Sequence, residues 1–295
     1  MKSPAKFLEF ESPWLCQRGL VRVPRRATES ASAVLAVRDG REGMTRPYIF
    51  ETGEERRLHF TQDATQSAMS LLDPDSLIAP YTRKMMAFLL MNPNPRHIVM
   101  LGLGGGSLAK FCYRNLPKTR ITAVEIDADV IAMRDEFLIP RDDARFRVVH
   151  DDGARFLEHM DGAADVLLVD AFDEDGVALS LGEPRFCRAV AQRLGERGVL
   201  VMNFWGKTER YTGILKQAAS SFGRHALLVS VSGELNVLLF ASRRAPPTSI
   251  TADLETVAER LQQVLKLDFP RYLRRLCQGH TLTEMGSDPI SAFPV

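Results

Sequence analysis

A chain of 295 residues, 45% apolar and 25% charged, can bury a sizeable core as one large domain or as a main domain with a smaller one. A formal net charge of +1 excludes a global field that would recruit nucleic acid or an anionic membrane surface. No stretch approaches the roughly 20 apolar residues of a membrane span, and no apolar segment of signal length follows Lys2 and Lys6. The four cysteines, Cys16, Cys112, Cys187 and Cys277, lack metal-type spacing, so no metal is expected. A chain of this size needs no disulfide, which makes a reducing cytoplasm the expected setting.

Residues 1 to about 30 carry Pro4, Pro13 and Pro24 among Arg18, Arg22, Arg25 and Arg26, a pattern that reads as an irregular arm with solvated arginines. Strand-like runs follow at 33–37, 47–51 and 57–61, predicting a small antiparallel sheet over about residues 31–62. Gln66–Leu72 and Pro80–Met91 read as helices, and Asn92-Pro93-Asn94-Pro95 then breaks the chain. The expected division is an N-terminal arm and small β-domain over 1–75, with an α/β domain over 76–295.

The α/β domain is organised around Ile98-Val99-Met100-Leu101 and the glycines that follow it, Gly102, Gly104, Gly105 and Gly106. A short apolar run, a glycine cluster and a helical pattern make a strand, a tight turn and a helix, and the N–H groups opening that helix can face a polar or anionic ligand. A second apolar strand, 121–124, stops at Glu125, roughly 20 residues on, where an acid commonly holds ribose hydroxyls. A purely structural turn would need the glycines but not the acid, so the pair favours a nucleoside site.

Strand and helix patterns then alternate, which argues for a parallel sheet with crossover helices. Asp127 or Asp129 can cap a helix; strand 146–149 ends at Asp151-Asp152-Gly153; helix 154–160 leads to strand 166–169, which stops at Asp170. Four strands thus bring Gly102, Glu125, Asp152 and Asp170 to their carboxyl ends, the edge where open α/β sheets bind ligands. Helices at 184–194 and 207–222, a strand at 199–204, a closing hairpin of strands 225–231 and 235–241, and helices at 254–267 and 272–277 complete the expected order.

After Asp170 the chain runs Ala171-Phe172-Asp173-Glu174-Asp175-Gly176, a carboxylate cluster suited to an ammonium group and lacking any histidine for a metal or a nucleophilic triad. Over about residues 57–205 the sequence resembles the spermidine synthase (polyamine aminopropyltransferase) family. Val124-Glu125-Ile126-Asp127 matches its Val-Glu-Ile-Asp, Asp152-Gly153 its later Asp-Gly pair, and Asp170, Asp173 and Gly176 its Asp-Ser-Ser-Asp-Pro-x-Gly-Pro loop. Gln66 is similar to the family glutamine after the small sheet, and Tyr81 to the tyrosine of a Tyr-His-Glu motif. The resemblance implies a small β-domain before a Rossmann-like, methyltransferase-type, mostly parallel sheet with helices on both faces. It further implies that decarboxylated S-adenosylmethionine, or S-adenosylmethionine itself, is the co-substrate. In this reading Gln66, Gly102, Gly104, Gly106, Glu125, Asp152 and Gly153 bind the donor, Asp170 and Tyr81 are catalytic, and Asp173 holds a putrescine-like amine. A homodimer without nucleic-acid or membrane partners is expected.

Two departures bear on specificity. Gly105 stands where the family's glycine cluster carries an aspartate that receives the donor ammonium, and Tyr81-Thr82-Arg83 replaces Tyr-His-Glu, losing an acid and gaining a cation. An S-adenosylmethionine methyltransferase is therefore the alternative enzyme, and a nucleoside-binding scaffold without catalysis the alternative from another class. A nicotinamide dehydrogenase fits less well, because Ser107 occupies the place of the last glycine of Gly-x-Gly-x-x-Gly.

Overall fold

The computed structural model describes residues 7–12, 18–24, 46–60, 65–173, 176–206 and 210–282. An antiparallel five-stranded sheet comes first, β1 (Phe7–Glu11), β2 (Leu20–Pro24), β3 (Tyr48–Glu51), β4 (Glu55–His59) and β5 (Thr65–Ser70), in the order β1-β2-β3-β4-β5. Alternation builds it: Val21, Val23, Tyr48 and Phe50 turn to one buried cluster. The strands expected at 47–51 and 57–61 are β3 and β4, whereas the strand expected at 33–37 lies outside the described residues.

Three expectations for this region fail. The arm is not irregular over its described residues, since β1 and β2 pair along five positions. Nor is Arg22 solvated: its side chain, 17% exposed, reaches Glu9 at 3.0 Å, Glu51 at 3.4 Å and Glu136 at 3.0 Å. The helix expected at Gln66–Leu72 is instead strand β5, paired with β4 from Thr65 to Ser70. Gln, Ala and Met are good helix formers, but a six-residue segment has little intrinsic helical stability, and pairing that buries Met69 overrides propensity.

Helix α1 (Pro80–Met85) opens on proline and tightens into a 3₁₀ segment, Met86–Leu90, whose five residues are all buried. The main sheet contains β6 (His97–Leu101), β7 (Arg120–Glu125), β8 (Phe146–His150), β9 (Ala164–Val169), β12 (Leu194–Trp205), β13 (Ala226–Ser230), β14 (Asn236–Ser242) and β15 (His280–Thr281). Its order is β15-β13-β14-β12-β9-β6-β7-β8. The five strands from β12 through β9, β6 and β7 to β8 are parallel, and β14, β13 and β15 join antiparallel. A short antiparallel pair, β10 (Phe172–Asp173) and β11 (Gly176–Val177), follows β9.

Successive residues of the central strands point to opposite faces, so Ile98 and Met100 enter one core while Val99 and Leu101 enter another. Helices α2 (Ser107–Asn115), α7 (Ala252–Leu265) and α8 (Phe269–Cys277) cover the first face, and α4 (Gly153–His159), α5 (Pro184–Arg193) and α6 (Arg210–Phe222) the second. The short α3 (Ala128–Ala132) is capped by Asp127, whose Oδ1 accepts from Asp129 N at 2.7 Å. The strands are near-continuous apolar runs because both faces are buried. Among the described residues no helix is long and apolar enough to cross a membrane.

Candidate active site

From β6 the chain winds outward to β7 and β8 and then returns to the other side of β6 as β9, which opens a crevice at the carboxyl ends of these strands. One cleft lies there. Its walls include Gln66 and Tyr81 as well as Gly102, Gly104, Glu125, Asp152, Gly153 and Asp170. Four of these residues come from the ends of four different strands, as their positions after apolar runs implied.

The glycine turn owes its shape to the crowding around it. Gly102 has φ +92°, and a Cβ there would stand 2.2 Å from the carbonyl oxygen of Asp170, so only glycine lets β6 and β9 deliver their ends side by side. Gly106, at φ +68°, is the N-cap of α2 and is not part of the cleft wall; a Cβ there would meet Ile139 at 2.5 Å. Its place is one of packing behind the loop.

Glu125 is 92% buried by its 8% exposure, and its carboxylate already has partners. Oε2 accepts from Leu103 N at 2.9 Å and Gly104 N at 3.4 Å, while Oε1 accepts from Asp127 N at 3.0 Å. Two N–H groups of the glycine turn thus face Glu125, which latches the turn to the end of β7. Asp152 caps α4, its Oδ1 accepting from Arg155 N at 2.9 Å. Its neighbour Asp151 pairs with Arg155 at 2.5 Å.

Asp170 is held differently. Oδ2 accepts from the Tyr81 hydroxyl at 3.1 Å and Oδ1 from Asn203 Nδ2 at 2.9 Å, so both oxygens are bound by side chains from distant parts of the chain. Burial raises the carboxyl above the ordinary aspartate value, opposed by these two hydrogen bonds, Asn203 first. Burial, then the Asp170 charge and hydrogen bond and the more remote Glu234, push the Tyr81 hydroxyl well above its usual value. Tyr81 therefore keeps its proton across the neutral range and donates it in the hydrogen bond to Asp170.

Asp173 belongs to β10, next in sequence to Phe172 of the cleft wall, and Glu174 and Asp175 lie outside the described residues. Two residues of interest escaped sequence reasoning. Asn203 could have been noticed as the one amide within the apolar 199–204 run, and Ser67 lines the cleft from β5, a strand read as a helix. Ser67 also explains Gly105: a Cβ at that buried position would lie 2.8 Å from Ser67 Oγ and 3.0 Å from Phe137 Cδ1. Among the described residues no group of three or more His, Cys, Asp or Glu could hold a metal.

The spermine/spermidine synthase domain model matches residues 78–226, which contain the glycine turn, Glu125, Asp152 and the Asp170 loop. The polyamine aminopropyltransferase of Chromobacterium violaceum is 34% identical over 248 residues, covering 84% of this chain and 95% of that protein. The chain belongs to the spermine/spermidine synthase family. The family fold extends through the described sheets: a spermidine synthase solved in complex with the transition state analogue AdoDATO aligns over 93% of each chain with a TM-score of 0.63 at 16% identity. Human methyltransferase-like protein 13, solved in complex with SAH, aligns over 66% of this chain and 93% of its own with a TM-score of 0.54 at 22% identity. The α/β, Rossmann-like architecture with an antiparallel sheet before it is thus the one the sequence implied.

Proposed function

We propose that this enzyme transfers an aminopropyl group from decarboxylated S-adenosylmethionine to a small-molecule amine and releases methylthioadenosine. The observation that carries the reading is the Tyr81–Asp170 pair at the end of β9, in one cleft with Glu125 and Asp152. Family membership supports aminopropyl transfer over the methyltransferase and scaffold alternatives. Glu125 would receive the ribose hydroxyls, and Asp152 with Gly153 the adenine. Gly102, Gly104 and Gly106 keep the turn in shape, and Gln66 flanks the donor from β5. Asp173 would hold the far ammonium of a putrescine-like acceptor.

The chemistry follows from proton placement. An amine with an ordinary pKa near 10.4 is cationic at neutral pH and has no free lone pair. Asp170 takes one proton from it; the freed lone pair attacks the carbon beside the sulfonium, and the carbon–sulfur electron pair leaves with methylthioadenosine. Burial that raises the pKa of Asp170 brings it closer to the amine's and makes it a better base than a solvated aspartate. Tyr81 orients the pair, and positioning supplies much of the remaining rate.

Gly105 sets the donor preference. The contacts around it leave no room for a side chain without movement of Ser67 or Phe137, so no acid at this position receives the donor ammonium. The protein accordingly binds decarboxylated and intact S-adenosylmethionine with affinities within about a hundredfold, or 2.7 kcal/mol. Titration of both donors by calorimetry, with mass spectrometry of the products formed from a diamine, tests both statements. Methylthioadenosine and an aminopropylated amine are expected; S-adenosylhomocysteine from the intact donor would instead establish methyl transfer, and a preference beyond a hundredfold would refute the role of Gly105.

A further inference from the structure

Behind Asp170, away from the cleft, two buried amides stand in line. Asn203 in β12 is 2% exposed and Asn236 in β14 is 4% exposed. Asn236 Nδ2 donates to Asn203 Oδ1 at 2.9 Å, and Asn203 Nδ2 donates to Asp170 Oδ1 at 2.9 Å. The strands are antiparallel with Trp205 opposite Asn236, so Asn203 and Asn236 are diagonal neighbours on one face of the sheet. Neither forms part of the cleft wall, whereas Asp170 and Tyr81 both do.

The chemistry of the groups allows one orientation of this line. An ionised carboxylate only accepts, so Asn203 must turn its NH₂ toward Asp170; its carbonyl oxygen then faces Asn236, which must donate in turn. Reversing either amide would set oxygen against oxygen in a buried place, where an unsatisfied polar group is costly. The line is therefore polarised toward Asp170 from a strand end two elements away.

We propose that Asn203 and Asn236 are positioning residues that reserve Oδ1 of Asp170 as a fixed acceptor and leave Oδ2, beside the Tyr81 hydroxyl, as the oxygen that takes the proton from the amine. This rests on the reading of Asp170 as the base. In the balanced step one proton moves from the amine nitrogen to Oδ2, the nitrogen lone pair forms the new bond to carbon, and the carbon–sulfur pair leaves with methylthioadenosine. A proton on Oδ1 would break the Asn203 hydrogen bond and reverse the line, so the relay selects both the oxygen and the charge state. Asn203→Leu and Asn236→Leu remove the polar contacts while keeping the branched outline of the side chain; Asn236→Ala serves should a leucine variant not fold.

The test reads Asp170 without substrate and then with it. Carbon-13 NMR of aspartate-carboxyl-labelled protein follows the titration of Asp170, whose signal is identified by its absence in Asp170→Asn. The midpoint should move upward in Asn203→Leu and upward by less in Asn236→Leu. With decarboxylated S-adenosylmethionine and a diamine, kcat should fall by roughly 10 to 10²-fold, less than the roughly 10²–10⁴-fold that the proton acceptor itself supplies, while donor KM and methylthioadenosine affinity stay unchanged. A folded Asn203→Leu or Asn236→Leu protein with an unmoved or lowered midpoint overturns the relay. A wild type without amine transfer would overturn the functional reading alone, since the titration still decides the relay.

Discussion

Glu125 and Asp170 occupy equivalent places, each closing a buried parallel strand on either side of β6, yet their carboxylates are held in opposite ways. The carboxylate of Glu125 is met by backbone N–H groups of the glycine turn and of Asp127, all local to the edge it closes. Among the described residues, that of Asp170 is met by side chains, Tyr81 from α1 and Asn203 from β12. Backbone donors hold a charge in place and shape a binding loop. Side-chain donors, in a site where burial disfavours the charge, keep a carboxylate ready to take a proton. In the proposed reading, binding and chemistry are separated by the width of one strand, with Gly102 between them.

The variant that should break both sides at once is Gly102→Ala. Its methyl group would meet the Asp170 carbonyl oxygen, and alanine is strained at φ +92°. Strain of on the order of 1–3 kcal/mol adds to displacement of the Asp170 backbone, so thermal unfolding should come earlier and both methylthioadenosine binding and turnover should be lost together. Normal binding in a stable Gly102→Ala protein would show that the turn does not couple the two acids.

Glu125→Gln sharpens the comparison from the binding side. The amide replaces one accepting oxygen by a donor that faces backbone N–H groups, and the charge-assisted hydrogen bond proposed to the ribose would be lost as well. Affinity for methylthioadenosine should fall at least about tenfold, since such bonds contribute on the order of 1.5–3 kcal/mol. Calorimetric affinity equal to wild type in a folded variant would remove Glu125 from the donor site.

A smaller effect is expected away from both acids, at Lys84. Its ammonium donates to Ser230 O at 2.8 Å, and burial, then Arg275 and Arg271, lower its pKa to about 8. The folded value lies below the unfolded one, so the charged form opposes folding at pH 7 and the penalty fades as pH rises from about 8 toward the unfolded value. Lys84→Met should therefore raise the unfolding temperature at pH 7 by an amount that shrinks by pH 10. A gain that is constant with pH would show that packing, not charge, decides it.

Much of this arrangement was legible in the sequence, because parallel strands buried on both faces are apolar runs whose ends are marked by the first glycine or acid. Ile98–Leu101, 121–124 and 166–169 announce themselves in that way, and Asp170 with them. What escaped depends on pairing between distant segments. β1 and β2 lie among prolines and arginines, and only the partners Glu51 and Glu136 explain why Arg22 is half-buried rather than solvated. β5 has helix-forming residues and becomes a strand because β4 offers an edge. Asn203 and Asn236 are single amides in apolar stretches, brought together by a register that no local pattern encodes.

The central claim, that chemistry resides on the Asp170 side of β6 and binding on the Glu125 side, is tested most directly by Asp170→Asn, with kcat and methylthioadenosine affinity measured on the same folded preparation. The variant keeps the shape of the side chain and removes the proton acceptor. The expected result is a fall in kcat of roughly 10²–10⁴-fold with nucleoside affinity unchanged. Retention of more than about half of kcat, set against that expected range, or a loss of affinity that accounts for the whole change, would contradict it.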